Sequence, residues 1–179
     1  SRAFPAALQQ KLLNEGIEKT GIIVAEGYDY EIIKKAYRPQ DDLSLLVTLK
    51  ANGTIEKTVI GSLAESLTVD RHDADDWGRL KEIFASDTLQ MVSFTITEKG
   101  YSITSPDGAF RADVKADFEA GPENADSYIG KLAALCYWRY TNGAAPLALV
   151  SMDNCSHNGD KLFAAVDAYA KAWTENGKA

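Results

Sequence analysis

Pro146-Leu147-Ala148-Leu149-Val150-Ser151-Met152-Asp153-Asn154-Cys155-Ser156-His157-Asn158-Gly159 is the stretch on which the fold turns. Its opening run is apolar and short, the pattern of a strand buried on both faces in a parallel sheet. A loop of small polar residues follows. Beyond it, Leu162, Val166, Tyr169 and Trp173 recur at the spacing of one helix face. Strand, polar loop and helix in that order make one unit of an α/β protein. Gly21-Ile22-Ile23-Val24-Ala25 has the same apolar character between glycines and predicts another strand buried on both faces.

The rest of the chain alternates in the same way. Pro5 suits the first position of a helix running to Glu15, and Gly16 suits the position just past its end. A short helix is expected over Tyr30 to Tyr37, where Pro39 forbids continuation. Ser44–Lys50 and Thr54–Leu63 are rich in strand formers around Asn52-Gly53, which predicts a hairpin with a type I′ turn. Asp75 is the expected cap of a helix reaching about Ala85, with Leu80, Ile83 and Phe84 inward. Gln90 to Ile96 reads as a strand, and Ser105-Pro106-Asp107-Gly108 as a turn in an otherwise irregular stretch. From Asp126 to Tyr140, positions 129, 132, 133, 136 and 140 mark one face of a helix. The expected fold is α/β: a mainly parallel sheet, helices on both faces and an inserted β-hairpin. No repeat or linker interrupts it, so residues 1–179 are read as one domain.

Composition narrows the classes of function. The 179 residues are 45% apolar and 25% charged, with 26 acidic against 19 basic side chains and a net charge of −7. A protein tracking nucleic-acid phosphates needs a basic face, so no nucleic-acid partner is expected. No apolar run approaches the roughly 18 residues of a membrane span, so no membrane partner is expected either. The opening residues lack the order of a signal peptide, and two cysteines, Cys136 and Cys155, fit a reducing compartment. A cytoplasmic protein is the expectation. Phosphate loops, zinc helices and the nucleophile elbow are all missing. Cys136, Cys155 and His157 lack the spacing of a metal site, so no metal is expected. Glu98 and Lys99 read either as an acid–base pair or as a solvated strand rim.

The loop Asp153 to Gly159 carries more. Ligands of open α/β sheets bind at the carboxyl ends of strands, and Asn and Asp there can donate to and accept from a substrate. The same residues, Asp153, Asn154 and Asn158, could instead cap the next helix and shape the turn. Both readings stand on physics alone.

Ser151-Met152-Asp153-Asn154 followed by Asn158-Gly159 resembles the S-C-D-N…N-G segment of the long-chain mannitol dehydrogenase family, which includes fructuronate and tagaturonate reductases. Pro39-Gln40-Asp41-Asp42-Leu43 resembles its P-Q-D-G-L, Val59-Ile60-Gly61-Ser62 its V-I-G-S/A, and Phe94-Thr95-Ile96-Thr97-Glu98-Lys99-Gly100-Tyr101 its L-T-V-T-E-K-G-Y. Arg2-Ala3-Phe4 is similar to the residues that follow the family's glycine loop. Met152 stands in place of the family's Cys and Asp42 in place of its Gly. The resemblance implies a Rossmann-like, NAD-dependent oxidoreductase of open-chain polyols or hexuronates, with a sugar acid or polyol as its small-molecule partner. Hexuronates are preferred, because the Thr-Glu-Lys-Gly-Tyr segment and the hairpin look most like the uronate reductases.

The resemblance also distributes roles. Asn154 would stabilise the developing oxyanion as a catalytic residue, and Asp153, Thr97, Glu98 and Lys99 would line the nicotinamide side of the cleft. The family's catalytic lysine has no counterpart, since Lys161, Lys171 and Lys178 do not occupy its motif. Residues 1–179 are therefore read as a nucleotide-binding domain incomplete at both ends and inactive alone; the rival reading is a non-catalytic module that binds nucleotide or a partner. The strand Gly21 to Ala25 would be the second of the Rossmann sheet. An acidic group at its end, Glu26 or else Asp29, would accept from the adenosine ribose and favour NAD, unless both are merely solvated.

Overall fold

Residues 3–179 are described by a computed structural model, and Arg2 of the Arg2-Ala3-Phe4 match lies outside them. They divide into two compact units, one running to Asp76 and one from Trp77 to Ala179.

In the first unit, helix α1 (Ala3–Asn14) precedes strand β1 (Ile22–Glu26). The helix expected at Tyr30 to Tyr37 is mostly a wide turn over Ile33–Tyr37, continued by a tight turn at Arg38–Gln40. Strands β2 (Ser44–Leu49) and β3 (Ile55–Ile60) form the antiparallel hairpin. Its turn is not type I′. Gly53 alone takes positive φ, +81°, Lys50 carbonyl accepts from the Gly53 amide, and Asn52 Oδ1 accepts from the Thr54 amide. This is the three-residue hairpin loop, in which one glycine supplies the left-handed step.

The returning strand stops at Ile60, and Leu63 opens a further strand, β4 (Leu63–Thr68), which pairs in parallel with β1. Val59-Ile60-Gly61-Ser62 makes the link. The Gly61 amide donates to Gln10 Oε1 at 2.7 Å, and the buried Ser62 hydroxyl donates to the Ala6 carbonyl at 2.7 Å, fastening α1 to the strand junction. On β4, the Thr68 amide and hydroxyl both donate to Asp76 Oδ2, and Arg38 Nη2 donates to both Asp76 oxygens. Burial would raise Asp76, but these donors outweigh it and hold the carboxyl below its usual range.

Helix α2 (Ala74–Ala85) is capped by Asp73, whose Oδ1 accepts from the Asp76 amide; Asp75 lies inside the first turn. Leu80 and Phe84 are buried as expected.

In the second unit, strand β5 (Met91–Phe94) pairs in parallel with β6 (Ala148–Ser151). Between them lie the single helical turn α3 (Thr97–Gly100) and helices α4 (Ala112–Ala120) and α5 (Tyr128–Thr141); α6 (Asn158–Glu175) follows β6. The Ser105–Gly108 turn forms as expected, with the Gly108 amide donating to the Ser105 carbonyl. The stretch beyond it is not irregular: α4 buries Val114 and Phe118, one turn apart.

The core of this unit is built from α4, α5 and α6. Phe110, Phe118, Tyr169 and Trp173 form a chain of edge-to-face rings, with centroids 5.1, 4.9 and 5.4 Å apart. Ser127 caps α5 by accepting from the Gly130 amide, and buried Asp117 accepts from the amides of Asp126 and Ser127. A Cβ at Gly130 would lie 2.3 Å from Asp117 Oδ2, so the approach requires glycine. The helix face expected at 129, 132, 133 and 136 packs inward, but Tyr140 is exposed. Arg139 is buried beside it. Its guanidinium donates to the carbonyls of Phe84, Ser86, Leu89, Ala145 and Pro146, the segments that lead into β5 and β6.

The mainly parallel expectation therefore appears as two parallel strand pairs plus the hairpin. The strands differ from expectation in burial: β1 and β6 are half-buried rather than covered on both faces, since each has one ladder partner among the described residues.

Candidate functional site

The loop at the carboxyl end of β6 is organised around one carboxylate. Asp153 Oδ2 accepts from the Ile96 amide at 2.9 Å and from the Tyr101 hydroxyl at 2.5 Å, and Oδ1 accepts from the Thr97 amide at 3.1 Å. Ile96 and Thr97 follow β5, so a single side chain joins the carboxyl ends of two parallel strands. Tyr101 is buried, and its oxygen lies 2.7 Å from Ser151 Oγ. Asn158 Nδ2 donates to the Asp153 carbonyl at 2.7 Å, fixing the loop from the other side.

Charge follows from this geometry. Burial would raise Asp153, yet the Tyr101 hydroxyl and the two amides more than compensate and hold its carboxyl below the usual range. Burial, reinforced by the bond to Asp153, pushes the Tyr101 phenol up to about 12. Near neutral pH the pair is a phenolic donor facing an ionised acceptor.

Thr97 has φ +64°, a left-handed conformation costly for a β-branched residue, on the order of 1–3 kcal/mol. Asp153 holds the amide of that strained residue. Gly100 closes the turn: a Cβ there would lie 2.9 Å from Ile96 Cβ. Glu98 pairs with Lys161 on α6, whose ammonium lowers the Glu98 carboxyl. That pairing makes Glu98 part of a charged rim rather than the partner of Lys99, which is exposed.

The turn-shaping and capping reading of the loop holds in part: Asn158 ties the loop through the Asp153 carbonyl, and its Oδ1 accepts from the Gly159 amide in the first turn of α6. His157, in a left-handed conformation, occupies the cap of α6 and makes no side-chain cap bond. The Asp153 carboxylate reaches away from α6, to the amides of Ile96 and Thr97 beyond β5. Asn154 is exposed, and its amide side chain takes no partner among the described residues.

At the end of β1, the Glu26 carbonyl accepts from the Val69 amide at 2.7 Å, just past β4. Glu26 Oε1 accepts from the amides of Tyr28 at 3.0 Å and Asp29 at 3.4 Å, so the carboxylate sits over its own turn. Of the expected site residues, the structure gathers Thr97, Glu98 and Asp153 beside Asn154, and places Glu26 and Asp29 in one turn at the end of the other parallel pair. Tyr101 and Ser151 are the residues that sequence reasoning missed. Tyr101 lay within the quoted Thr-Glu-Lys-Gly-Tyr segment, but nothing in the sequence linked it to Asp153. Among the described residues, no group of three or more His, Cys, Asp or Glu side chains could hold a metal, and no helix is long and apolar enough to cross a membrane. Burial pushes the Cys136 thiol up to about 11, away from the thiolate a metal ligand needs.

Parallel strand pairs with polar, ordered loops at their carboxyl ends define an α/β chain of the Rossmann-like class. It is similar to the mannitol 2-dehydrogenase of Pseudomonas fluorescens, solved as a ternary complex with NAD and D-mannitol: TM-score 0.75, 29% identity, 94% of this chain and 34% of that one. No family model matches the chain. The D-mannonate oxidoreductase of Thermotoga maritima is 46% identical over 98% of this chain and 32% of the relative. A polyol:NADP oxidoreductase of Gluconobacter oxydans is 34% identical over 78% of this chain and 29% of the relative. The chain belongs to the long-chain mannitol dehydrogenase family. It spans about a third of the length of these relatives.

Proposed function

We propose that residues 1–179 form the nucleotide-binding domain of an NAD-dependent oxidoreductase that interconverts a secondary alcohol and a ketone on a hexuronate or polyol. The observation that carries this reading is the Asp153-centred loop, which presents Asn154, without a side-chain partner among the described residues, at the carboxyl end of a parallel pair. A nicotinamide dinucleotide, when bound, supplies or accepts the hydride. Reducing a ketone builds negative charge on oxygen, and an amide donor held in advance stabilises that charge. Asn154 is that donor. Asp153, Thr97, Glu98 and Lys99 shape the nicotinamide side, with Asp153 acting through the backbone it fixes.

The acceptor carboxylates at the end of β1 fit the adenosine end. Glu26, held by its own turn, and Asp29 accept from ribose hydroxyls and repel a 2′-phosphate, which favours NAD over NADP. The 46% identity to a mannonate oxidoreductase supports a hexuronate as substrate. Lys161 and Lys171 are engaged with Glu98 and Asp167, so neither serves as the proton-transferring lysine; in this reading the longer polypeptide of the family supplies that group.

The test is NADH oxidation by the full-length polypeptide carrying these residues, with fructuronate, tagaturonate and fructose. The expected result is faster turnover with a hexuronate than with fructose, and a preference for NADH over NADPH. No oxidation with any of the three ends the reading. Equal or better use of NADPH ends the assignment of Glu26 and Asp29.

A further inference from the structure

We propose that Tyr101 is a positioning residue for this reaction: with Ser151 it fixes Asp153, and through Asp153 it holds Asn154 where the developing oxyanion meets its amide. The inference rests on the role given to Asn154 above.

Among the described residues the Asn154 side chain has no hydrogen-bond partner, so its placement there is inherited from the backbone at Asp153. That backbone is anchored twice. Asn158 holds the Asp153 carbonyl, and the carboxylate is held by the amides of Ile96 and Thr97 and by the Tyr101 hydroxyl. The amides belong to the main chain, and nearly any residue at 96 or 97 would supply them. The phenol is different. It is the side-chain donor to this carboxylate among the described residues, it is 3% exposed, and Ser151 on β6 bonds it from a second direction. A buried hydroxyl satisfied by both β6 and the residue just beyond it locks the carboxylate along one line. Phe at 101 keeps the ring but leaves Asp153 short of a donor and Ser151 without its partner. The loop then relaxes around the two remaining amides. A reacting group displaced by a fraction of an ångström loses rate before it loses binding.

The experiment is a kinetic double-mutant cycle in the full-length polypeptide, reducing the preferred hexuronate with NADH, with Tyr101→Phe, Asn154→Ala and the double variant. Tyr101→Phe is expected to lower kcat on the order of 10-fold when Asn154 is present. In the Asn154→Ala background the same change is expected to cost nothing further, because the group it positions is gone. Ser151→Ala is expected to show the same dependence with a smaller loss, and it carries the contrast if Phe at 101 does not fold. An equal loss of kcat in both backgrounds overturns the inference and makes Tyr101 a fold residue, while leaving Asn154 as the oxyanion donor. An Asn154→Ala variant with unchanged kcat overturns the inference together with the functional reading it rests on.

Discussion

Both parallel strand pairs end in a turn governed by a carboxylate, and the two turns follow opposite plans. At β1, Glu26 Oε1 accepts from the amides two and three residues ahead, inside its own turn. At β6, Asp153 accepts from groups 52 to 57 residues away. The first carboxylate shapes a loop. The second joins two strand ends, and losing it should disturb everything that hangs from them. The β5–β6 pair is tied at its other end as well, where Arg139 collects five carbonyls from the segments that enter the two strands.

The largest effect expected from this contrast falls at Arg139. Arg139→Ala strips donors from five carbonyls around a buried site and should cost roughly 4 kcal/mol or more. A thermal melt should show Tm lower by on the order of 10 °C; a shift of only a degree or two would mean that water replaces the guanidinium without loss.

Asn154→Ala comes next, and its effect should appear in rate alone. Removing an oxyanion donor costs on the order of 3 kcal/mol in kcat/KM. Tm should stay put, because the side chain is exposed and has no partner among the described residues. Near-normal turnover with an early melt would reverse the assignment.

The comparison itself is tested by Asp153→Asn against Glu26→Gln. An amide at 153 turns a donor toward groups that already donate, and should cost about 1–3 kcal/mol by urea unfolding. Glu26→Gln should cost less than about 1 kcal/mol, because the Gln side-chain oxygen can still accept from the amides of Tyr28 and Asp29. Equal costs would remove the distinction. The acid limb gives a second reading of the same pair. Asp153 titrates below its unfolded value, so its contribution is present above that value and is lost as pH falls through the lower folded one. Stability of the parent chain should decline there more steeply than that of Asp153→Asn.

The smallest effect is a gain. Asp42 occupies the family's glycine position at φ +58°, with Oδ1 buried and unbonded. Asp42→Gly should relieve both features and raise stability by about 1 kcal/mol. A lower Tm would show that Asp42 has an unseen partner.

What could be read from the sequence depended on how far apart the partners lie. The strands at Ile22 and Ala148 announced themselves through continuous apolar runs. Strand β4 did not, because Ser66 and Thr68 are polar residues that point inward; Asp76, eight residues on, makes that possible for Thr68. Helix α4 was hidden by its charges, although Val114 and Phe118 sit one turn apart on its buried side. At the site, Asn154 and the Thr97–Lys99 segment were legible as motifs. Their joining through Asp153 was not, since a hydrogen bond across more than fifty residues leaves no local pattern. The cap of α6 went unread because His157 fills it by its left-handed backbone alone, with no side-chain cap bond to leave a residue-type signal.

The span of those bonds also sets an order in time. A turn like that at Glu26 can close as soon as its few residues meet, within the nanoseconds to microseconds of short-loop closure. Asp153 has nothing to bind until β5 and β6 have found each other across the three helical segments between them. The entropy of closing that long loop must be met first. The loop that presents Asn154 is therefore among the last parts of the second unit to assemble. The recovery of activity during refolding should lag behind the recovery of helix.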